Sequence, residues 1–314
     1  MAILQKALAI VIAGPTASGK SHLALELAQA LNGVIINADS VQLYENLPIL
    51  SAQPTPDDFC KATHHLYGVL PGEKNCTAAL WCEMVKGVLE ECHQNKKLPL
   101  ITGGTGFYLK ALMEGLVPTP PIPKEIRDKT IARCHEIGLK NLFREVEDFD
   151  PDIAKRLQVQ DQQRVMRAWE VYHFTGKPLS VWQASPRVLY ASEYTFLSIY
   201  LNPPREKLLQ KADARLNKMI EQGALAEVKS LLDKKIPRSA PVFKALGAPQ
   251  LADCLEGLIS LEKALAKTKK ITHDYIKRQQ TWFRHQLATS YRIDDFYCED
   301  TFRYVQSVIK EFNY

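Results

Sequence analysis

No apolar run in the 314-residue chain approaches the roughly 20 residues that a helix needs to cross a bilayer. The start, MAILQKALAIVIAG, has no cleavage-type segment either. Membrane-spanning and exported classes are therefore not indicated, and a cytoplasmic enzyme is expected. The seven cysteines (Cys60, Cys76, Cys82, Cys92, Cys134, Cys254, Cys298) contain no C-x-x-C pair, which argues against a disulfide frame or a structural zinc site. Internal repeats and low-complexity tails are lacking. Net charge is only +5, but it is unevenly spread. Between Ser260 and Arg292 eight Lys or Arg stand against two acidic residues, a local net of +6, interleaved with Tyr275, Trp282 and Phe283. Basic residues among aromatics suit a nucleic-acid backbone with bases to stack, although a solvated basic helix has the same composition. The length exceeds a comfortable single core, so a domain with an insertion, or two domains, is expected.

What is present is organised around GPTASGKS, the residues Gly14, Pro15, Thr16, Ala17, Ser18, Gly19, Lys20 and Ser21. The apolar run Ala7 to Ala13 precedes it, and a helically spaced apolar pattern from His22 to Leu31 follows. Strand, glycine loop and helix in that order form a phosphate-binding loop, whose backbone N–H groups converge on an anion. The helix N-terminus adds partial positive charge and Lys20 a full one, while the Ser21 hydroxyl can face a magnesium ion. Such a loop holds a polyphosphate. What the phosphates carry is left open by the loop alone.

The ends of the later strands narrow the choice. Gly33 to Asn37 reads as a second buried strand, which places Asp39 to Tyr44 just past its carboxyl end, the edge where α/β sheets bind ligands. Asp39 can therefore face the phosphate loop, where it could help a metal or act as a base, or else cap the next helix. A nucleotide hydrolase usually carries a metal-holding aspartate after another apolar strand. Here the third strand, Leu98 to Thr102, runs into Gly103, Gly104, Thr105 and Gly106, and the strand Thr195 to Leu201 ends in Asn202 and two prolines. The missing carboxylate weakens an ATP-hydrolysis reading without excluding a small-molecule kinase.

Organisation beyond the core follows from pattern. Thr77 to Asn95 reads as a helix and His64 to Leu70 as a short strand, with His64 and His65 taken as local hydrogen-bonding groups outside the catalysis. The proline-rich Pro118 to Pro123 marks a border. Helical patterns follow at Lys124 to Ile137, Lys140 to Glu147, Pro151 to Leu157 and Asp161 to His173, before strand character resumes at Tyr194. The expected fold is α/β: a phosphate-loop core with a parallel sheet flanked by helices, at 1–118 and 191–314, and an all-helical insertion at 119–190. The second core segment should hold a long helix from Glu206 to Leu232, another from Leu261 to Gln286, and a strand at Tyr291 to Phe296.

Six ordered tracts carry a resemblance: GPTASGKS, DSVQLY (Asp39 to Tyr44), GGTGFYLKAL (Gly103 to Leu112), FDPDIAKRL (Phe149 to Leu157), DQQRVMRAWEVYHFTGK (Asp161 to Lys177) and KRQQTWFR (Lys277 to Arg284). Together they resemble the tRNA dimethylallyltransferase family, in its short bacterial form without a zinc-finger extension. The resemblance implies transfer of a dimethylallyl group from dimethylallyl diphosphate to the N6 amine of the adenosine 3′-adjacent to the anticodon. The loop would then grip the donor's diphosphate with Mg2+, and no ATP need be hydrolysed.

The same resemblance implies roles residue by residue. Asp39 would be the general base, with Thr105 and Arg215 stabilising the leaving diphosphate. Asp39, Ser40, Val41, Gln42 and Thr105 would lie near the target base, and Gln42 could read its edge. Arg127, Gln163, Arg164, Val165, Met166 and Arg167 would meet the anticodon stem-loop, together with Lys277 and Arg278 of the basic helix. A monomer is expected. Some tracts depart from the family pattern: Gly-Thr-Ala-Lys-Pro reads Leu50-Ser51-Ala52-Gln53-Pro54, Ile-His-Pro-Asn-Asp reads Leu157-Gln158-Val159-Gln160-Asp161, a Gly-Tyr-Lys-Glu-like tract associated with tRNA contact reads Gly247-Ala248-Pro249-Gln250, and Thr-Arg before the basic helix reads Thr272-His273. A catalytically silent RNA-binding relative is therefore the third alternative, beside the kinase. The diphosphate and base positions are intact.

Overall fold

The computed structural model describes residues 6–312; Met1–Gln5 and Asn313–Tyr314, the outer ends of the two expected core segments, lie outside the described residues. The chain divides into two compact units, one of Met1–Met113 with Tyr190–Tyr314 and one of Glu114–Leu189. In the larger unit the strands are β1 (Ala7–Ala13), β2 (Gly33–Asn37), β3 (Thr63–His65), β4 (Leu98–Gly103), β5 (Tyr194–Leu201) and β6 (Tyr291–Ile293). They form one sheet in the order β3-β2-β4-β1-β5-β6, parallel at every pairing. Helices cover both faces, which is why β1 and β4 are apolar without alternation. The helix after the phosphate loop, Lys20–Ala30, and the late helix Glu299–Glu311 bury Leu23, Leu27, Val305 and Ile309 over Ile10, Ile12 and Leu100. Each such side chain contributes about 1.5–3 kcal/mol of burial. On the other side, the helix Ala78–Gln94 sinks Trp81, whose Nε1 donates to the Asn37 carbonyl at 2.9 Å.

Register decides what meets at the sheet's carboxyl edge. Ala13 pairs with Gly103 and with Tyr200, and Asn37 pairs with Thr102. The phosphate loop, the Asp39 loop and the Gly103-Gly104-Thr105 turn therefore leave adjacent strands side by side. The closeness demands glycine: a Cβ on Gly103 would stand 2.2 Å from the carbonyl carbon and oxygen of Ala38.

Several sequence expectations shift. The predicted helix from Glu206 to Leu232 is two, Arg205–Glu221 and Ala224–Asp233, because Gly223 takes a left-handed φ of 108° and breaks the run. The predicted strand His64 to Leu70 is only Thr63–His65, since Leu66 at φ 65° turns the chain out of the sheet. The last strand stops at Ile293 rather than Phe296, and helices unforeseen from the sequence span Ala248–Leu255 and Glu299–Glu311.

The smaller unit is helical: Lys124–Ile137, Leu139–Phe149, Pro151–Ala154, Gln162–Thr175 and Leu179–Gln183. Leu142, Phe143, Val146, Ile153, Val165, Ala168 and Trp169 make its own core. Asp150 locks the corner, accepting from Ile153 N at 3.1 Å and from Ser180 N at 2.9 Å.

Two glycine substitutions should act in opposite directions on chemical unfolding. Gly103→Ala should destabilise by about 3 kcal/mol, because backbone rather than a flexible side chain must move. Gly87→Ala, exposed in the helix Ala78–Gln94 with nothing within 4 Å of its Cβ, should stabilise by up to about 1 kcal/mol. The shift in denaturant midpoint of each variant is the measurement.

Candidate active site

The phosphate loop winds from β1 into the helix at Lys20, with Ala17 at φ 65°. The helix start has no side-chain cap, so its first N–H groups are available to an anion. Lys20 Nζ donates to the Pro15 carbonyl at 3.3 Å. Burial, with a contribution from Arg215, pushes the Lys20 ammonium down to about 8 against the opposing pull of Asp39. From the helix Arg205–Glu221, Arg215 Nη2 donates to Thr16 Oγ1. Its guanidinium is also lowered by burial and favoured by Asp39. Two cations thus share a covered cradle with one carboxylate. Ser18 is fully buried and its Oγ has no hydrogen-bond partner among the described residues.

Asp39 is held by its neighbours rather than by a helix. Its N–H donates to Asn37 Oδ1 at 2.8 Å, and its carbonyl accepts from Asn37 Nδ2 at 3.0 Å. Oδ1 accepts from Val41 N at 3.0 Å, while Oδ2 lies 3.4 Å from where a Gly104 Cβ would stand. Thr105 ties this loop to the glycine turn: its N–H donates to the Ala38 carbonyl at 3.1 Å, and its hydroxyl accepts from Ser40 N at 2.9 Å. Thr105 and Ser40 therefore lie beside Asp39, and the Thr105 hydroxyl is engaged in holding the Asp39 loop. Gln42 Nε2 donates to the carbonyls of Ser51 and Ala52, at 2.9 and 2.6 Å, which commits both of its amide hydrogens to the loop.

A cavity of about 230 Å³ opens between Ser21, Gln42, His64, Tyr67 and Thr102. His64 Nδ1 lies 2.8 Å from the Ala62 carbonyl, the local hydrogen-bonding role expected of it, and burial lowers its proton affinity. The hydroxyls of Tyr67 and Tyr275 are pushed above their ordinary range, by burial first and the Asp39 charge second. Both stay protonated beside the carboxylate.

Ser21 is exposed at the first helical turn. Among the described residues no group of three or more His, Cys, Asp or Glu could hold a metal. A single hydroxyl suits Mg2+, which keeps waters and takes its other oxygens from phosphates.

The basic helix, Leu261–Gln286, supplies what sequence reading missed. Gln279 accepts from Thr16 N at 2.9 Å and donates to the Gly104 carbonyl at 2.9 Å. Thr16 therefore lends no free N–H to a ligand. Tyr275, Gln279 and Trp282 recur at helical spacing, the last two inside KRQQTWFR, and Trp282 packs over Gly106. Lys277 and Arg278 are exposed; the Arg278 guanidinium lies 5.8 Å from the Tyr275 ring centre. Tyr297 packs against Gly19 of the loop, while Phe296 and Ala17 both pack on the cluster of Leu208, Ala212 and Ile276.

Within the smaller unit, Arg127, Gln163 and Arg164 are exposed, and Arg164 pairs with Asp161 at 3.2 Å. Arg167 lies 3.7 Å from Glu170, and burial lowers its proton affinity. Val165 corrects the expectation: it is fully buried in the core of this unit, so its side chain packs the fold and is withheld from ligands. Met166 packs against the same core.

The geometry can be set beside known proteins. The family model described as IPP transferase matches residues 42–286, and that described as isopentenyl transferase matches residues 8–70. The tRNA dimethylallyltransferase of Rhodospirillum centenum is 42% identical over 289 residues, 92% of each chain. That of Paramagnetospirillum magneticum is 44% identical over 282 residues, 90% of this chain and 89% of the relative. Among solved structures, the full-length tRNA isopentenylpyrophosphate transferase of Bacillus halodurans superposes with a TM-score of 0.70 at 27% identity, covering 98% of this chain and 96% of that one. A eukaryotic dimethylallyltransferase acting on tRNA gives a TM-score of 0.75 at 29% identity, over 88% of this chain and 70% of that one. With a parallel sheet, a phosphate loop facing Asp39 and this match along nearly its whole length, the chain belongs to the IPP transferase family, the tRNA dimethylallyltransferases.

Proposed function

We propose that the chain transfers a dimethylallyl group from dimethylallyl diphosphate to the N6 amine of the adenosine 3′-adjacent to the anticodon of tRNA. The observation that supports this best is the pairing of a phosphate cradle, with Lys20 and Arg215, to the one anchored carboxylate of Asp39. The strands β4 and β5 end in Gly103-Gly104-Thr105 and in Asn202-Pro203-Pro204, without the second acid a nucleotide hydrolase would use. The reading places the protein with its tRNA in the cytoplasm, acting as a monomer. No helix among the described residues is long and apolar enough to cross a membrane.

An adenine amine is a poor nucleophile because its lone pair is delocalised into the ring. As N6 attacks the allylic carbon, Asp39 takes the N6 proton, while the C–O bond breaks and its electron pair passes to the diphosphate. The helix N-terminus, Lys20 and Arg215 meet the growing charge on that leaving group; one such donor is commonly worth about 3 kcal/mol. Ser21 would hold Mg2+, which when bound neutralises diphosphate charge. The base must leave its stack, at a cost of a few kcal/mol that contacts in the site offset. Gln42 offers its side-chain oxygen to that base's edge, and Ser40 and Val41 complete the loop around it. Arg127, Gln163, Arg164 and Arg167 of the helical insertion at 119–190 would grip the anticodon arm, with Lys277 and Arg278 on the backbone.

Incubating the protein with anticodon-arm tRNA, Mg2+ and labelled dimethylallyl diphosphate should place label in the tRNA without ATP consumption. ATP turnover on a small acceptor with no label in tRNA would overturn the reading. Asp39→Ala should lower transfer by on the order of 10²- to 10⁴-fold with donor binding nearly intact. Near-normal transfer would remove Asp39 as the base.

Titrating inorganic diphosphate separates the grip from the chemistry. Lys20→Ala should weaken binding with or without Mg2+, whereas Ser21→Ala should erase only the gain that Mg2+ brings.

A further inference from the structure

The Gln279 side chain is buried, at 5% exposure, and both ends of its amide are used. Oε1 accepts from the backbone N–H of Thr16 in the phosphate loop, and Nε2 donates to the carbonyl of Gly104, each at 2.9 Å. The residue after Gly104, Thr105, holds both Ala38 and Ser40, the two neighbours of Asp39. Thr16 in turn carries the hydroxyl on which Arg215 rests. Hydrogen bonds joined through Thr16 and the Gly104–Thr105 peptide therefore connect Arg215 and the loop, through Gln279, to the Asp39 segment. The two targets have opposite polarity, an N–H and a C=O, so the bridge needs one acceptor and one donor on a single group. A primary amide has both; an ionised carboxylate has no donor, and a thioether has neither in useful strength. The fit is close, since a Cβ on Gly104 would stand 2.4 Å from Gln279 Nε2.

We propose that Gln279 is a positioning residue for the transfer, setting the spacing between the diphosphate grip and the base-bearing loop without touching substrate. The identity of the reacting groups rests on the function proposed above; the bridge itself does not. The charged and titratable groups around it are Lys20 on the loop helix, Arg215 on the helix Arg205–Glu221, Asp39 after β2 and Tyr275 on its own helix. All are kept in every Gln279 variant, and Gln279→Met, which adds no charge to shift them, is the reference for the pH dependence of Gln279→Glu.

The test compares Gln279→Glu and Gln279→Met with the parent, reading kcat, KM for tRNA and the affinity for inorganic diphosphate with Mg2+ between about pH 5.5 and 8.5, a range chosen because burial raises a carboxyl towards neutrality. A protonated Glu accepts and donates as Gln does; an ionised one loses the donor and sets negative charge against the Gly104 carbonyl. At the upper pH, kcat of Gln279→Glu should fall about tenfold or more below the parent, with KM for tRNA within about twofold. That gap should close as pH falls. Gln279→Met should show a similar loss at every pH. Thermal unfolding at each pH monitors the fold, and if the Glu variant does not fold at high pH, the Met variant decides by its kcat against KM split. A Glu-to-parent ratio flat in pH, or a parent-like kcat for Gln279→Met, overturns the proposal. If the parent itself transfers nothing, the proposed function fails, and the pH dependence of the diphosphate-affinity ratio still decides for or against the bridge.

Discussion

Everything in the site hangs on the buried side chain of Asn37, the last residue of β2. Fully enclosed, it accepts from Asp39 N and donates to the carbonyls of Asp39 and Leu66, while its own carbonyl accepts from Trp81 Nε1. A carboxylate just beyond a strand end would otherwise sample many positions. Here the backbone on both sides of its Cα is tied to a group that cannot move without leaving the sheet. The same amide holds Leu66 at φ 65°, a conformation that costs a branched side chain about 1 kcal/mol or more and that turns Tyr67 towards the cavity. Breaking the amide would leave buried donors and acceptors unpaired, at about 1–3 kcal/mol each.

That anchor works because the parallel sheet brings three loops out at one level. Ala13, Asn37 and Gly103 end neighbouring strands, and the absence of a Cβ on Gly103 lets the Ala38 backbone pass within contact distance. The ties between the loops then come from Thr105 and Gln279, the first from the glycine turn and the second from a helix far along the chain. Local strand geometry sets the loops side by side, and side chains distant in sequence fix their separation.

Legibility followed the range of the interactions. The phosphate loop, the buried strands and the position of Asp39 beyond β2 were readable because each is written in contiguous residues with a period or a glycine pattern. The break at Gly223 was not, since apolar spacing runs on through it and only its positive φ ends the helix. Leu66 hid in the same way: its left-handed turn is imposed by Asn37, 29 residues earlier. Asn37 itself looked like the plain end of a buried strand. Gln279 was inside a tract recognised as distinctive, but its partners lie more than 170 residues away, and helical spacing could place it with Tyr275 and Trp282 without saying what that face meets. Val165 marks the opposite error. A contiguous motif suggests a continuous contact surface, but the helical period puts every third or fourth of its residues in the core.

The electrostatics give the ligand a larger part than a preformed pocket would. Lys20 and Arg215 both give up proton affinity to burial, and Asp39 compensates for only part of their joint charge. A covered pair of cations facing one carboxylate is a cost carried by the folded protein, and a polyanion is the ligand that relieves it.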